Sequence, residues 1–210
     1  MTLKPNQSIL EGIITTLNPD TAPMSQRVNI SPMGPVVDET MSELLLRPFN
    51  TSTTYKNLKA TGQGIFHVTD DVLLLARAAL GQVPIDADLP VRPAERVEGL
   101  ILTGACRYYE LQVVEVDDRD PRTTVRAQVV SQGCLRDFFG FNRARHAVVE
   151  AAILATRVHL TGPQPVLSQY EQLQTIIDKT GTQREHQAMI CLWQYVRESA
   201  ANPQAAVEQP

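Results

Sequence analysis

The sequence has few of the features that mark disulfide frameworks or membrane segments. Its three cysteines, Cys106, Cys134 and Cys191, lie far apart and form no CxxC pair. An odd, scattered set of cysteines argues against a disulfide framework and fits a reducing compartment, so we expect a cytoplasmic protein. No apolar run approaches membrane-spanning length, because the stretch from Val72 to Leu80 is short and contains Arg77. The first residues also lack the basic and apolar regions of a signal peptide.

Strong charge bias and several catalytic motifs are missing as well. The formal net charge is −4 over 210 residues, and the lysines and arginines form no run. We therefore expect neither nucleic acid nor a membrane as a partner. The sequence contains no HExxH motif, no nucleophile elbow and no Rossmann glycine fingerprint. Their absence argues against a zinc protease, an α/β-hydrolase and a dinucleotide-binding fold, and we predict no metal site.

Two kinds of periodicity divide the chain near residue 140. Before it, stretches such as Ile9–Leu17 and Thr123–Ser131 have the composition or the strict alternation of strands, and a change of phase near Val113 predicts a β-bulge. After it, apolar residues recur with a period of 3.6, which predicts three helices. We therefore predict an α+β protein with a small antiparallel barrel over residues 1–140, a C-terminal helical lobe over 141–200 and a disordered tail over 201–210.

The most informative stretch runs from Leu46 to Leu58, at a predicted junction between a strand and a helix. It brings together a guanidinium, four consecutive hydroxyls and an amide, namely Arg47, Thr51, Ser52, Thr53, Thr54 and Asn57. A helix N-terminus offers unpaired N–H groups and a partial positive charge, and a guanidinium with hydroxyls suits a phosphate. The alternative is that Thr51 or Ser52 only caps the helix and that the other hydroxyls belong to a surface loop.

Two further features are candidates for ligand contacts. Pro32 and Pro35 interrupt a predicted strand around Gly34, which lets another group approach the backbone closely, although an irregular strand end explains the same pattern. Arg143, His146 and Glu150 share one stripe of the first C-terminal helix. That stripe is either a solvated, salt-bridged face or the wall of a pocket for an anionic substrate.

Five segments, taken in order and spacing, resemble a known family. They are Ile9–Ile13, Ser31–Pro35, Leu46–Leu58, Gly64–Asp71 and Gly140–His146. Together they resemble an uncharacterised family of FMN-binding split-barrel proteins, related to flavin reductase-like and pyridoxamine-phosphate-oxidase-like barrels. The resemblance covers roughly Ser8 to Leu160.

The resemblance implies an antiparallel split β-barrel that forms a homodimer and holds one FMN per subunit. The phosphate would lie on Arg47 and the hydroxyl cluster, with Asn57 nearby, and the isoalloxazine would lie against Ser31, Met33 and Gly34. The ring or ribityl chain would be approached by His67, Val68, Thr69 and Asp70. Beside the resemblance, the position of Phe138, Phe139 and Phe141 just before the first C-terminal helix suits them to cover the flavin, to seal the dimer or to belong to the core. Arg143, His146 and Glu150 keep the two alternatives given above.

The function implied by the resemblance is that of an FMN-dependent oxidoreductase acting on a small-molecule redox substrate. The alternative is a flavin-binding carrier, sensor or structural protein without turnover, since fold alone does not fix function.

Overall fold

The computed structural model of the chain describes residues 3–19, 22–83 and 89–201. These residues form two compact units. The barrel unit contains the described residues up to Thr69 and those from 89 to Phe138, and the helical unit contains Asp70–Val83 and the described residues from Phe139 onward. Apart from Ala201, the predicted disordered tail lies outside the described residues.

The barrel unit consists of antiparallel strands and two helices in its described part. The strands are β1 (Gln7–Ile9), β2 (Gly12–Leu17), β3 (Val28–Met33), β4 (Val36–Asp38), β5 (Glu43–Leu46), β6 (Gln63–Val68), β7 (Val91–Pro93), β8 (Leu100–Leu102), β9 (Arg107–Asp117) and β10 (Thr124–Cys134). The helices are α1 (Met24–Arg27) and α2 (Thr53–Thr61). Eight strands form one sheet in the order β1-β4-β5-β10-β9-β6-β2-β3, and β7 pairs with β8.

The two ends of the eight-stranded sheet belong to one bent hairpin. β1 is followed after two residues by β2, and β3 is followed after Gly34 and Pro35 by β4. β2 pairs with β3 at one end of the sheet, and β1 pairs with β4 at the other. These two bent segments close the sheet into an antiparallel split barrel, which confirms the predicted fold class. Pro32 is tolerated in β3 because this strand is at the end of the sheet, where its missing N–H leaves no ladder bond unmade.

The barrel core consists of aliphatic and aromatic side chains from the sheet together with Leu58 of α2. Its buried members are Ile14, Val37, Leu44, Leu46, Leu58, Phe66, Tyr109, Leu111, Val125 and Ala127. Along the β9–β10 pair, Val113 lies opposite Ala127 and Glu115 lies opposite Arg126, so Val114 is the extra residue of a bulge. The predicted change of phase is therefore confirmed.

The helical unit contains five helices in the described part of the chain. They are α3 (Val72–Ala79), α4 (Arg143–Thr156), α5 (Val158–Thr161), α6 (Pro163–Thr180) and α7 (Gln183–Ala201). The division at residue 140 assigned α3 to the barrel, but α3 packs against α4 and α7. Its apolar face, which includes Leu73 and Leu75, is buried there. Within the described residues, no helix is both long and apolar enough to serve as a membrane span.

Three helix N-termini of this unit share a cluster of charged side chains. Arg145 of α4 donates to Asp70, which precedes α3, over 3.0 Å, and lies 3.4 Å from Glu185 of α7. Glu185 also accepts the backbone N–H of Thr182, so that it caps its own helix. Burial alone would raise the pKa of Glu185, but the hydrogen bonds from Thr182 and Arg145 outweigh it and hold the pKa below its usual value. Carboxylates at converging N-termini are favoured by the helix dipoles, and Arg145 balances their charge.

Candidate functional site

The predicted helix after Arg47 is α2, and its ends follow local sequence signals. Ser52 caps its N-terminus, because the Ser52 hydroxyl oxygen accepts the N–H of Tyr55 over 3.2 Å and donates to the Phe49 carbonyl over 2.7 Å. The hydroxyl of Ser52 is therefore used within the chain. Gly62 ends the helix in the left-handed conformation, with φ of 69°.

The first turn of α2 retains donors that suit an anion. Within the described part of the chain, the backbone N–H groups of Thr53 and Thr54 have no acceptor. Thr51 is exposed, Thr53 is half-buried, and Arg47 leads into the same turn from the end of β5 as a half-buried side chain. Two free N–H groups, nearby hydroxyls and a guanidinium fit the chemistry of a phosphate group.

Thr54 and Asn57 face inward and join a buried polar network. Each is 3% exposed. Asn29 of β3 places its Nδ2 atom 3.1 Å from the Thr54 hydroxyl and 3.3 Å from the hydroxyls of Thr16 and Ser31. The Asn57 amide donates to the Thr16 hydroxyl over 3.1 Å. The network therefore connects α2 with β2 and β3, and it brings together Thr54 and Ser31, which the sequence assigned to opposite ends of the cofactor.

The break after β3 is built around a close contact within the chain. Met33 is half-buried against the barrel core and lies opposite Gly12. A Cβ atom at Gly34 would meet the Glu11 carboxylate at 2.9 Å and Ile9 at the same distance. A side chain at position 34 would therefore displace the side chains of Glu11 and Ile9, so the close approach that Gly34 permits includes one by the chain itself.

His67 is fully buried in the barrel unit, and both of its ring nitrogens are engaged. Its Nε2 atom accepts the Leu102 N–H over 3.0 Å, and its Nδ1 atom lies 3.3 Å from the Ile13 carbonyl, to which it donates in this tautomer. Burial lowers the pKa of His67 to about 4. His67 is thus a neutral structural histidine at pH 7, and a bound cofactor could meet only its backbone.

The three residues after His67 are divided between the two units. Val68 and Thr69 are half-buried at the end of β6. Asp70 belongs to the helical unit, where its carboxylate accepts from Arg145 and from the Phe139 N–H over 3.1 Å. The geometry therefore assigns the Asp70 carboxylate to an ion pair within the helical unit, while Asp71 caps α3 through the Leu74 N–H.

The stripe of Arg143, His146 and Glu150 is exposed along α4. His146 stacks on Phe141, with ring centroids 6.0 Å apart. This arrangement agrees with the solvated-face alternative, and among the described residues no group of three or more His, Cys, Asp or Glu side chains could hold a metal.

The three phenylalanines before α4 are exposed, so the alternative that they belong to the core is wrong. Phe138 is 48% exposed, Phe139 84% and Phe141 95%. These three rings therefore lie outside the core of the chain.

Sequence reasoning missed two polar residues of the barrel unit. Asn29 occupies an alternating strand without any motif, and only the structure reveals its three oxygen neighbours. Glu110 is fully buried, and its carboxylate accepts the backbone N–H groups of residues 95, 96 and 97. Cys134 is exposed at the end of β10.

Comparison with protein-family models gives two adjacent matches. Residues 10–136 match the model described as "Protein of unknown function (DUF447) N-terminal domain", and residues 142–194 match the model "Protein of unknown function (DUF447)". The comparison with curated proteins gave no match.

Solved structures with a similar fold include the FMN-bound protein MM1853 from Methanosarcina mazei, of the same DUF447 family. It is 20% identical, with a TM-score of 0.75, over 89% of this chain and 94% of that one. The NADH:FAD oxidoreductase SgcE6 of Streptomyces globisporus is 11% identical, with a TM-score of 0.48, over 60% of this chain and 70% of that one. An FMN-binding protein from Thermus thermophilus is 16% identical, with a TM-score of 0.47, over 60% and 70%.

Proposed function

The chain belongs to the DUF447 family, and from this membership we propose that it is an FMN-binding flavoprotein of the oxidoreductase type. The observation that carries the proposal is the first turn of α2, where two backbone N–H groups that find no acceptor among the described residues follow closely on Arg47. The FMN-bound state of the Methanosarcina protein, which shares the fold, supports the same ligand.

In the proposed complex, the FMN phosphate lies on the N-terminus of α2. The N–H groups of Thr53 and Thr54 donate to its oxygens, and the hydroxyls of Thr51 and Thr53 and the guanidinium of Arg47 provide further donors. Ser52 contributes to this turn as its cap, since its hydroxyl is used there. A phosphate that carries close to two negative charges needs such a set of donors once it leaves bulk water.

The isoalloxazine is proposed to lie against the backbone from Ser31 to Gly34. The hydroxyls of Ser31 and Thr54 both approach the same Asn29 nitrogen, so this strand end and the phosphate turn are close enough for one elongated ligand. When bound, FMN supplies the redox chemistry, whereas the chain binds and orients it. His67 provides no acid or base, because its ring is buried and neutral.

Arg47→Ala tests the phosphate assignment. We expect the dissociation constant for FMN, measured by fluorescence titration of the apoprotein, to rise at least about tenfold. Riboflavin, which lacks the phosphate, should lose little affinity. Arg119→Ala is the matched control, since Arg119 is 87% exposed and pairs only with Asp117 among the described residues. Equal FMN affinity of wild type and Arg47→Ala would contradict the placement, and a colourless protein that takes up no FMN would contradict the proposed function itself.

Redox turnover is tested separately from binding. The flavin-loaded protein should bleach under anaerobic conditions with NADH or NADPH and recover its colour when oxygen or another acceptor is added. A flavin that stays oxidised with every physiological donor would instead favour a carrier, sensor or structural role.

We also propose that the protein is a homodimer. The support is the exposure of Phe139 and Phe141 in the single chain, because large exposed apolar side chains commonly mark interfaces. Light scattering should give twice the 23.2 kDa chain mass. Phe141→Ser should shift the equilibrium toward monomer, and a monomeric wild type at micromolar concentration would contradict the proposal.

A further inference from the structure

A half-buried amide lies at the junction of the two proposed halves of the cofactor site. Asn29 is half-buried in β3, and its Nδ2 atom is 3.1 Å from the Thr54 hydroxyl and 3.3 Å from the Ser31 hydroxyl. Thr54 belongs to the proposed phosphate turn, and Ser31 to the strand proposed to face the isoalloxazine. One side chain therefore contacts both parts of the site.

The direction of these hydrogen bonds determines what the two hydroxyls can do. A hydroxyl has one hydrogen to donate and two lone pairs to accept with, whereas the Nδ2 atom of an amide only donates. When Asn29 donates to Thr54 and Ser31, each hydroxyl is held by its oxygen and keeps its own hydrogen for another acceptor. Such a chain of donors also strengthens each bond in sequence, because each donor polarises the next.

The third neighbour of Asn29 already has an amide donor of its own. Thr16, which lies directly opposite Asn29 in the β2–β3 ladder, accepts from Asn57 over 3.1 Å, and its hydroxyl oxygen lies 3.3 Å from the Asn29 Nδ2 atom. The two hydrogens of the Asn29 amide can therefore go to Thr54 and Ser31 without leaving Thr16 unsatisfied. Thr16 is 3% exposed, so these partners are not readily exchanged for water.

We propose that Asn29 is a positioning residue that orients the Thr54 and Ser31 hydroxyls as donors to both ends of a bound flavin nucleotide. Thr54 then donates toward the phosphate side, and Ser31 toward the ring side. This inference rests on the proposed function. Nothing in the chain's sequence pattern distinguishes Asn29 from other polar residues of alternating strands, and its role follows from its position between the Thr54 and Ser31 hydroxyls.

Asn29→Asp tests the direction of the hydrogen bonds with little change in shape. The introduced carboxylate can only accept, so the Thr54 and Ser31 hydroxyls would turn their hydrogens toward it and away from the ligand. We expect the dissociation constant of FMN to rise at least about tenfold and that of riboflavin at least about threefold, from the loss of oriented donors and the added charge. Asn18→Asp introduces the same charge at an exposed position and should change both constants less than about twofold.

Variants that each remove one hydroxyl test the roles of Thr54 and Ser31 separately. Thr54→Val keeps the shape of the side chain and should weaken FMN about fivefold while leaving riboflavin within about twofold. Ser31→Ala should weaken both ligands by a similar factor. In the Thr54→Val background, Asn29→Asp should lose part of its effect on FMN, because the two residues act through one hydrogen bond.

The outcomes distinguish this inference from the proposed function. A wild type that binds neither FMN nor riboflavin overturns both. A wild type that binds FMN, together with an Asn29→Asp variant that binds FMN and riboflavin as the Asn18→Asp control does, overturns the positioning role alone. If Asn29→Asp fails to fold, Thr54→Val and Ser31→Ala provide the test. If each of these two variants lost the same affinity for FMN as for riboflavin, the assignment of Thr54 to the phosphate side and Ser31 to the ring side would be overturned.

Discussion

Acid is expected to destabilise the barrel unit through His67. The ring is fully buried, accepts the Leu102 N–H and has its pKa lowered to about 4 by burial. An unfolded chain has a histidine pKa of about 6.5. The unfolded state therefore binds the proton more tightly, so the stabilising contribution is fully present above about pH 6.5 and is lost as the pH falls toward about 4.

The size of the effect follows from these two values. Linkage gives a loss of about 2 kcal/mol between pH 8 and pH 5, and of about 3 kcal/mol by pH 4. This loss is a large part of the free energy of unfolding of a typical domain, which is roughly 5–15 kcal/mol. Carboxylates with lowered pKa values, such as Asp117 at about 2, contribute at lower pH, so the interval from pH 8 to pH 5 isolates the histidine.

The measurement must report on the barrel unit itself. The only tryptophan, Trp193, belongs to the helical unit, so its fluorescence is not suited to this purpose. Native-state hydrogen exchange of amides in β6 and β8 gives an opening free energy at each pH. His67→Gln keeps a donor and an acceptor without a titrating ring, and His159→Gln, which removes an exposed imidazole of the helical unit, is the control.

We expect His67→Gln to abolish about 2 kcal/mol of the pH dependence, whatever its stability at pH 8. The control should retain the wild-type dependence. If wild type and His67→Gln lost the same opening free energy between pH 8 and pH 5, the reasoning from a buried neutral ring would be refuted.

Two further changes address the helical unit and the end of α2. Arg145→Met removes the guanidinium that pairs with the carboxylates of Asp70 and Glu185, which are 6% and 4% exposed. The loss of this buried pairing should cost about 3–5 kcal/mol in denaturant unfolding followed by tryptophan fluorescence. The exposed Arg157→Met should cost less than about 0.5 kcal/mol, and equal losses in the two variants would contradict the role of the cluster. Gly62→Ala should lower the free energy of unfolding by about 1–2 kcal/mol, because φ is 69° at this residue. Gly62→Asn should lower it less. An unchanged melting temperature of Gly62→Ala would contradict the requirement for glycine.

Sequence reasoning succeeds here where the signal is local. The helix after Arg47 and its cap at Ser52 each depend on a few neighbouring residues, and the structure has both. The bulge at Val114 is visible as a change in the phase of the alternation. Such features depend on one or two helical turns or on a few residues of a strand, so they can be predicted from the local sequence.

Sequence reasoning fails where a partner is distant along the chain. Glu110 alternates like a solvent-facing strand residue, but the backbone N–H groups of an irregular loop cover it. His67 is neutral because the fold buries it, and its Nε2 atom accepts from Leu102, which is 35 residues away. Asp70 looked like the polar end of a strand near the cofactor, but a carboxylate that follows a strand can equally serve the helix after it, and here it pairs with Arg145. The positions of such partners follow from tertiary packing, which no periodicity records.

The membership of α3 in the helical unit limits how the chain can be divided. The two family models meet between residues 136 and 142, yet α3 lies among the barrel strands in sequence and buries Leu73 and Leu75 against helices that come after that junction. A fragment that ends at residue 140 would carry an apolar helix without its partners, and a fragment that begins there would have a groove where α3 belongs. We therefore expect neither fragment to fold as an independent module, because each would expose apolar surface that the packing of α3 covers in the intact chain.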